Sequence, residues 1–123
     1  MQKKEITICG KPVTLAYCYA TEIAYKDCSR GEDIQTYLTE AIPLIQQQQM
    51  PDVKKTFFLI IASMLSYYED DEKLPVTDKD MMREATPNEI GTALGTIIVL
   101  RSQFYHIPDG EPEDKKGTEG KNS

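Results

Sequence analysis

Side chains that could carry acid–base or nucleophilic chemistry are few in this sequence. His106 is the one histidine among 123 residues, and it stands two residues before Pro108, near the end of a long helical pattern. A catalytic histidine needs a nucleophile and an orienting acid close to it. A histidine at the C-terminal end of a helix is favoured by the helix dipole alone. We therefore interpret His106 as a solvated residue at a helix end; the alternative is a small enzyme in which His106 works with a cysteine or a carboxylate.

Metal coordination would have to come from three cysteines or from short acidic runs. Cys9, Cys18 and Cys28 are spaced nine and ten residues apart, without the Cys-x-x-Cys pair typical of zinc sites. The acidic runs 70–72 and 78–80 lack the acidic fifth position and the sixth-position glycine of a calcium-binding loop. We therefore expect no metal site and no cofactor. The odd number of cysteines predicts free thiols that are buried or half-buried.

The sequence also gives little support for a phosphate-binding loop or for acid–base catalysis by carboxylates. Gly10-Lys11 lacks the earlier glycine of a phosphate-binding loop, and Pro12 stands where such a loop has serine or threonine. The carboxylates within 69–72 would need a desolvated cleft to act as an acid–base pair, whereas an acidic loop is solvated. The residue types therefore indicate a protein without enzyme activity.

The net charge of the chain limits the kinds of partner that it can bind. Fourteen lysines and arginines stand against 20 aspartates and glutamates, which gives a net charge of -6. An acidic chain repels phosphate, so neither nucleic acid nor an anionic membrane is expected as a partner. The longest apolar runs, 57–62 and 91–100, are far shorter than the ~20 residues that span a bilayer. Because Glu5 interrupts the stretch after Lys3 and Lys4 that a secretory leader would need, we expect a cytoplasmic protein.

Residues 5–19 predict a β-hairpin. Apolar and polar side chains alternate with period two on both sides of Gly10-Lys11. Glycine at the first central position suits a type II′ turn, which would place Ile8 opposite Val13 and Ile6 opposite Leu15. These four side chains then share one face, and because an isolated hairpin is marginally stable in water, that face must cover helices.

Three helices should follow, each indicated by apolar residues at the helical period. The second is expected at 33–49, where Pro43 should kink or split it. The third, at 52–68, is apolar almost all round, which is typical of a helix at the centre of a core. The first is expected at 21–29, with an inward side made of Ala20, Ile23 and Ala24.

Two more helices are marked by their N-terminal residues. Thr77 can cap a short helix that reaches about Ala85. Thr86-Pro87-Asn88-Glu89 combines an N-cap, a proline at the first helical position and the acidic member of a capping box, so a long last helix should run from there to about Ile107. Arg101 falls inside the apolar stripe of this helix, where it would snorkel or pair with a carboxylate. The stripe consists of Ile90, Ala93, Leu94, Ile97, Leu100 and Phe104.

These elements predict an α+β protein that is predominantly α, with an N-terminal β-hairpin followed by four to five helices. We expect a single domain over 1–107. Residues 108–123 hold no large apolar side chain. Because they cannot bury enough surface to offset the entropy of ordering, we expect a disordered, charged C-terminal tail.

Several small and apolar residues remain outside the predicted core. Leu59, Ala62 and Val99 fall on the outer sides of their helices, and a chain of this length has few spare layers to cover them. Gly91 and Gly95 share one side of the last helix, so another helix can approach closely there. That helix could be internal or belong to a second chain. These five residues form the predicted partner-binding surface.

The chain has a recognisable order of elements over roughly residues 5–107. The strand Ile6-Thr7-Ile8, the turn Gly10-Lys11 and the strand Val13-Thr14-Leu15 come first. A helix with Ala20, Glu22 and Ile23 follows, then Gly31-Glu32-Asp33-Ile34 at the start of the next, a polar break, a Thr-Pro-x-Glu helix start and a charged tail. This order resembles the tail assembly chaperones of long-tailed bacteriophages and related prophages. Pro43 and the almost uniformly apolar third helix depart from the pattern.

The resemblance implies a protein without enzyme activity that works in the bacterial cytoplasm. Its implied partners are the tape measure protein, whose apolar helices it keeps soluble, and the tail tube subunits that polymerise around that protein. In some members a programmed ribosomal frameshift adds a C-terminal extension that recruits tube subunits. An acidic chain with surplus apolar helix surface is compatible with such a role. The alternative is a homo-oligomeric interaction or regulatory protein without catalytic activity, built on the last helix.

Overall fold

The computed structural model describes residues 2–68 and 74–106. Within them an N-terminal β-hairpin is followed by five helices, which confirms the predicted α+β, predominantly helical fold. The expected disordered tail, 108–123, and the acidic loop, 69–72, lie outside the described residues. The elements are β1 Gln2–Ile8, β2 Lys11–Tyr17, α1 Tyr19–Cys28, α2 Ile34–Gln46, α3 Val53–Leu65, α4 Asp78–Glu84 and α5 Pro87–His106.

The hairpin turn lies one residue earlier than predicted. Its central residues are Cys9 and Gly10, with φ of 55° and 74°, and Ile8 lies opposite Lys11 instead of Val13. Positive φ at both central residues is the requirement of a type I′ turn, whose twist matches that of the strands. The change moves every pair by two positions, which is an even number, so the predicted apolar face of the hairpin is preserved.

Pro12 fits this register without breaking the ladder. Next to a two-residue loop the flanking pair exchanges both backbone hydrogen bonds, and such pairs alternate along the strands with pairs that exchange none. Pro12 lies opposite Thr7 in a pair of the second kind, where its missing N–H is not needed. The N–H of Thr14 likewise points away from β1, and it donates to the Tyr68 hydroxyl at 3.1 Å. The segment after α3 therefore covers part of the outer edge of β2.

Helix α3 lies at the centre of the core, as its sequence predicted. It packs against α1, β2, α4 and α5. Because neighbours surround it, Leu59 and Ala62 are completely buried. The prediction that these two side chains face outward was wrong: their side of α3 is covered by the rest of the chain.

Helix α1 turns a different side inward from the one predicted. Ile23 is 63% exposed, whereas Thr21 and Tyr25 are completely buried. The Thr21 hydroxyl donates to the carbonyl of Ala16 at 3.2 Å and accepts from the N–H of Cys18 at 3.1 Å. These hydrogen bonds offset the cost of burying the Thr21 hydroxyl. They also link β2 to α1, at the side of the helix where an apolar contact was expected.

Proline 43 does not split α2. The helix continues past it to Gln46 and ends in a Gln47 cap whose N–H bonds to the carbonyl of Pro43 at 3.2 Å. The proline stands in the last turns of the helix and is exposed. Pro43 has no N–H to donate to the carbonyl of Thr39, so α2 loses one backbone hydrogen bond there, yet the regular helix continues for three more residues.

Glu89 joins the N-terminus of α5 to the hairpin turn. Its carboxylate accepts from the N–H of Thr86 at 3.1 Å, and the Thr86 hydroxyl accepts from the N–H of Glu89 at 3.1 Å, which is the predicted capping box. The same carboxylate also accepts from the N–H of Cys9 at 3.1 Å and of Gly10 at 3.2 Å. One side chain therefore caps the last helix and holds the hairpin over it.

We expect these contacts to make the stability depend on pH. Hydrogen bonds from Thr86, Cys9 and Gly10 hold the pKa of Glu89 below its usual 4.5. A carboxyl group with a lowered folded-state pKa adds stability above its unfolded pKa and loses that contribution as the pH falls through the folded value. Glu89→Gln should therefore be less stable than the wild type at neutral pH, and the difference should shrink as the pH falls below 4.5.

Urea unfolding across that pH range measures the effect. Glu84→Gln is the control, because it removes an exposed carboxylate of α4 to which no described backbone N–H donates. If the difference between Glu89→Gln and the wild type stays constant down to acidic pH, the Glu89 carboxylate does not hold the hairpin turn.

Candidate functional site

Two of the predicted surface residues, Gly91 and Gly95, lie on an open face of α5. Both are exposed, and a Cβ atom placed at either would meet no described heavy atom within 4 Å. Glycine inside a helix costs about 1 kcal/mol relative to alanine. Close internal packing does not offset that cost here, because no described helix approaches either glycine. The sequence left open whether the helix that packs against these glycines is internal or belongs to a second chain. The described part of the chain contains no such internal helix.

These glycines form the floor of an apolar groove of about 370 Å³, which we call the helix groove. One wall comes from the end of α2 and the loop after it, where Ile45 and Met50 are 38% and 46% exposed. The other wall is the N-terminal half of α5. Apart from the glycines, the residues that line it are Ile45, Gln48, Gln49, Met50, Pro51, Pro87, Ile90, Leu94 and Ile98.

The sequence did not identify the α2 side of this groove. Ile45 follows the helical period of the other apolar residues of α2, a pattern that predicts burial, and Gln46–Gln49 is a polar helix end. The signal that could have found the groove is Met50-Pro51, an apolar pair placed directly after a polar helix end. Pro51 is buried and Met50 is not, so this loop folds back towards α5 and leaves one apolar side chain at the surface.

Val99 lies beside a second groove, which we call the edge groove. It has a volume of about 560 Å³ and lies where β1 meets α5. Val99 is 54% exposed, as the sequence predicted. Gly95 lines both grooves, so the two grooves meet on the exposed side of α5. The other lining residues are Lys3, Lys4, Thr92, Thr96, Leu100 and Gln103.

Three of the five predicted partner-binding residues therefore remain at the surface. Gly91, Gly95 and Val99 follow one another along the exposed side of α5. Leu59 and Ala62 belong to the core instead and line neither groove. The candidate site is thus built on α5 with contributions from α2 and β1, and α3 supports it from within.

Arg101 bonds to an amide and stacks on a ring, while no described carboxylate pairs with it. Its Nη2 donates to Gln35 Oε1 at 2.8 Å, and the guanidinium carbon lies 5.1 Å from the centroid of the Tyr105 ring. Its Nε is buried without a hydrogen-bond partner among the described residues. The hydroxyls of Tyr105 and Tyr17 both donate to Glu22, which raises the pKa of Tyr105 to about 12. This cluster ties the C-terminal end of α5 to β2, α1 and α2.

The side chains considered for chemistry are dispersed over the described structure. His106 is exposed on the last turn of α5, with Nδ1 at 3.4 Å from the Ser102 hydroxyl. Cys9, Cys18 and Cys28 are half-buried free thiols, as predicted. Burial raises the pKa of Cys9 and of Cys28, which lowers the fraction of reactive thiolate. Among residues 2–68 and 74–106, no three histidine, cysteine or acidic side chains are grouped so that they could hold a metal ion.

None of the helices in the described part of the chain combines the length and apolar character needed to cross a membrane. Comparison of the chain with protein-family models, curated proteins and solved structures returned no match.

Proposed function

We propose that this protein is a non-catalytic chaperone of the phage tail assembly type, which binds apolar helices of a tape measure protein and assists assembly of the tail tube. The observation that carries the proposal is the helix groove. It is open, apolar, and floored by glycines that no described residue covers. The resemblance in the order of elements supplies the identity of the partner.

The shape of the groove supports recognition of a helix. An amphipathic helix binds by laying its apolar side into a hydrophobic groove, with anchors three to four residues apart. Gly91 and Gly95 are four residues apart on one side of α5, so a partner helix can approach the α5 backbone closely. Ile45 and Met50 then provide apolar contacts on the opposite wall. A net charge of -6 helps to keep such a complex soluble.

Co-expression with a phage tape measure protein tests the proposal. We expect a stable complex that is lost with Ile45→Glu, because the substitution places a charge on the apolar wall of the helix groove. Met82→Glu is the matched control, since Met82 is 64% exposed on α4, outside both grooves. Repeated capture without any tape measure or tube protein, or a complex that Ile45→Glu leaves intact, would contradict the proposal.

A second candidate is a homo-oligomer that pairs through the same face of α5. It is favoured by the open glycines, which suit close packing against a second copy of the helix. Light scattering at increasing protein concentration separates the two: a homo-oligomer should grow in mass and should be dispersed by Gly91→Leu. A strict monomer at high concentration excludes this candidate and leaves the chaperone proposal standing.

A further inference from the structure

Among the residues that the structure describes, none covers the outer edge of strand β1. Within residues 2–68 and 74–106 the sheet consists of β1 and β2. On the β2 side, Tyr68 accepts from the outward N–H of Thr14. On the β1 side, no described group outside β2 forms a hydrogen bond with the strand backbone. An open edge presents unpaired donors and acceptors that can pair with another strand.

The register identifies the open backbone groups. Pairs that exchange hydrogen bonds alternate along the ladder, beginning with Ile8 and Lys11 beside the loop. Lys3, Glu5 and Thr7 belong to the alternate pairs, which exchange no hydrogen bonds with β2. Their N–H and C=O groups therefore point away from β2. All three residues are exposed. These residues therefore offer three donors and three acceptors along the open edge of β1.

The charge beside this edge is opposite to that of the whole protein. The edge groove is lined by Lys3 and Lys4, by hydroxyl and amide side chains of α5, and by no carboxylate. The chain as a whole carries -6. A strand added at about 4.8 Å from β1 would run along the mouth of this groove. Because side chains alternate between the two faces of a strand, acidic side chains on the α5-facing side of the added strand would reach Lys4 at this groove.

A second copy of β1 fits this edge poorly. The antiparallel register that pairs all seven residues of two β1 strands places Glu5 opposite Glu5 of the other copy. Like charges directly opposite each other across two strands are destabilising. Glu5 therefore disfavours a second copy in this register, while Lys3 and Lys4 outnumber Glu5 on β1 and favour a segment with acidic side chains.

We infer that β1 accepts an extended acidic segment of a partner protein as a third strand of the sheet. Backbone hydrogen bonds to Lys3, Glu5 and Thr7 provide the affinity, and Lys4 selects acidic side chains. This binding mode differs from the helix groove, which takes a helix, and it does not depend on the proposed chaperone function.

A capped seven-residue peptide, Glu-Val-Glu-Val-Thr-Val-Glu, is a suitable probe, and the same sequence with lysine in place of glutamate is its control. We expect only the acidic peptide to bind, as measured by fluorescence anisotropy. Binding should slow amide hydrogen exchange at Lys3, Glu5 and Thr7 by at least about tenfold, because a third strand protects those N–H groups. A ligand in either groove that does not extend the sheet would leave them unprotected.

Two matched pairs of variants locate the contact. Thr7→Pro removes an outward N–H that the ladder with β2 does not use, so it should weaken peptide binding about fivefold or more, whereas Thr7→Val, which keeps the N–H, should not. Lys4→Glu should weaken binding about tenfold, and Lys79→Glu on the exposed face of α4 should have little effect.

Several results would overturn the inference. The acidic and basic peptides could bind equally well, or neither could bind at millimolar concentration. If the β1 amides are already protected from hydrogen exchange without peptide, and the protection increases with protein concentration, the edge binds a second copy of this chain. Protection that disappears when the chain is shortened to end at residue 106 would assign it to the chain's own C-terminal segment.

Discussion

Leu59→Ala should lower the free energy of unfolding by about 2–5 kcal/mol. Leu59 is completely buried in α3, and removal of its side chain takes away apolar contacts and leaves a cavity that the surrounding helices fill only in part. For a domain of this size each kcal/mol lowers the melting temperature by roughly 4–8 °C, so the expected fall is about 8 °C or more. Thermal unfolding followed by circular dichroism measures it.

Val99→Ala is the control for this prediction. Val99 is 54% exposed, so its truncation should change the free energy of unfolding by no more than about 0.5 kcal/mol. The sequence pattern placed Leu59 and Val99 in the same class of surface residues, whereas the structure separates them. Equal effects of the two substitutions would mean that Leu59 lies at the surface after all and that α3 is not the central helix.

Filling the helix groove at Gly91 and Gly95 should weaken partner binding while it stabilises the fold. Gly91→Ala with Gly95→Ala should raise the free energy of unfolding by about 1–2 kcal/mol, since alanine is favoured over glycine in a helix and the added Cβ atoms meet open space. Gly91→Leu with Gly95→Leu should retain much of that gain. Both leucines would occupy the space of the partner helix, so affinity should fall by at least about tenfold.

The graded series from glycine through alanine to leucine is its own control. Both substituted pairs should be more stable than the wild type, while binding falls from glycine through alanine to leucine, and a misfolded protein cannot reproduce that combination. The measurements are urea unfolding and co-purification with the partner. If both quantities fall together, the glycines serve internal packing. If stability rises and binding is unchanged, the groove is not the binding site.

The local elements could be predicted from the sequence because local interactions determine them. Thr86 and Glu89 form the expected capping box within four residues of chain, and Thr77 with Asp80 forms another at α4. The alternation around Gly10 indicated a hairpin, and the pattern of α3 indicated a central helix. Hydrogen bonds and side-chain periods of this kind involve neighbours in sequence, so they leave a direct trace in it.

The errors concern features that depend on distant neighbours. The side of α1 that faces inward depends on α2 and on the end of α3. The Tyr25 ring packs against Tyr37, and the Thr21 hydroxyl forms a hydrogen bond with Ser66, 45 residues later, so these two residues are buried and Ile23 is not. The turn moved to Cys9 and Gly10, whose N–H groups donate to Glu89, about eighty residues later in the chain. No pattern within either segment contains that information.

The sequence by itself determined the elements, their order and the scarcity of side chains suited to chemistry. The tertiary structure alone decided which surfaces are free. Leu59 and Gly95 both lie on helix sides outside the predicted apolar stripes, yet one is enclosed by neighbouring elements and the other meets open space. Burial is a property of the surroundings that pack against a residue, and those surroundings come from parts of the chain far away in sequence.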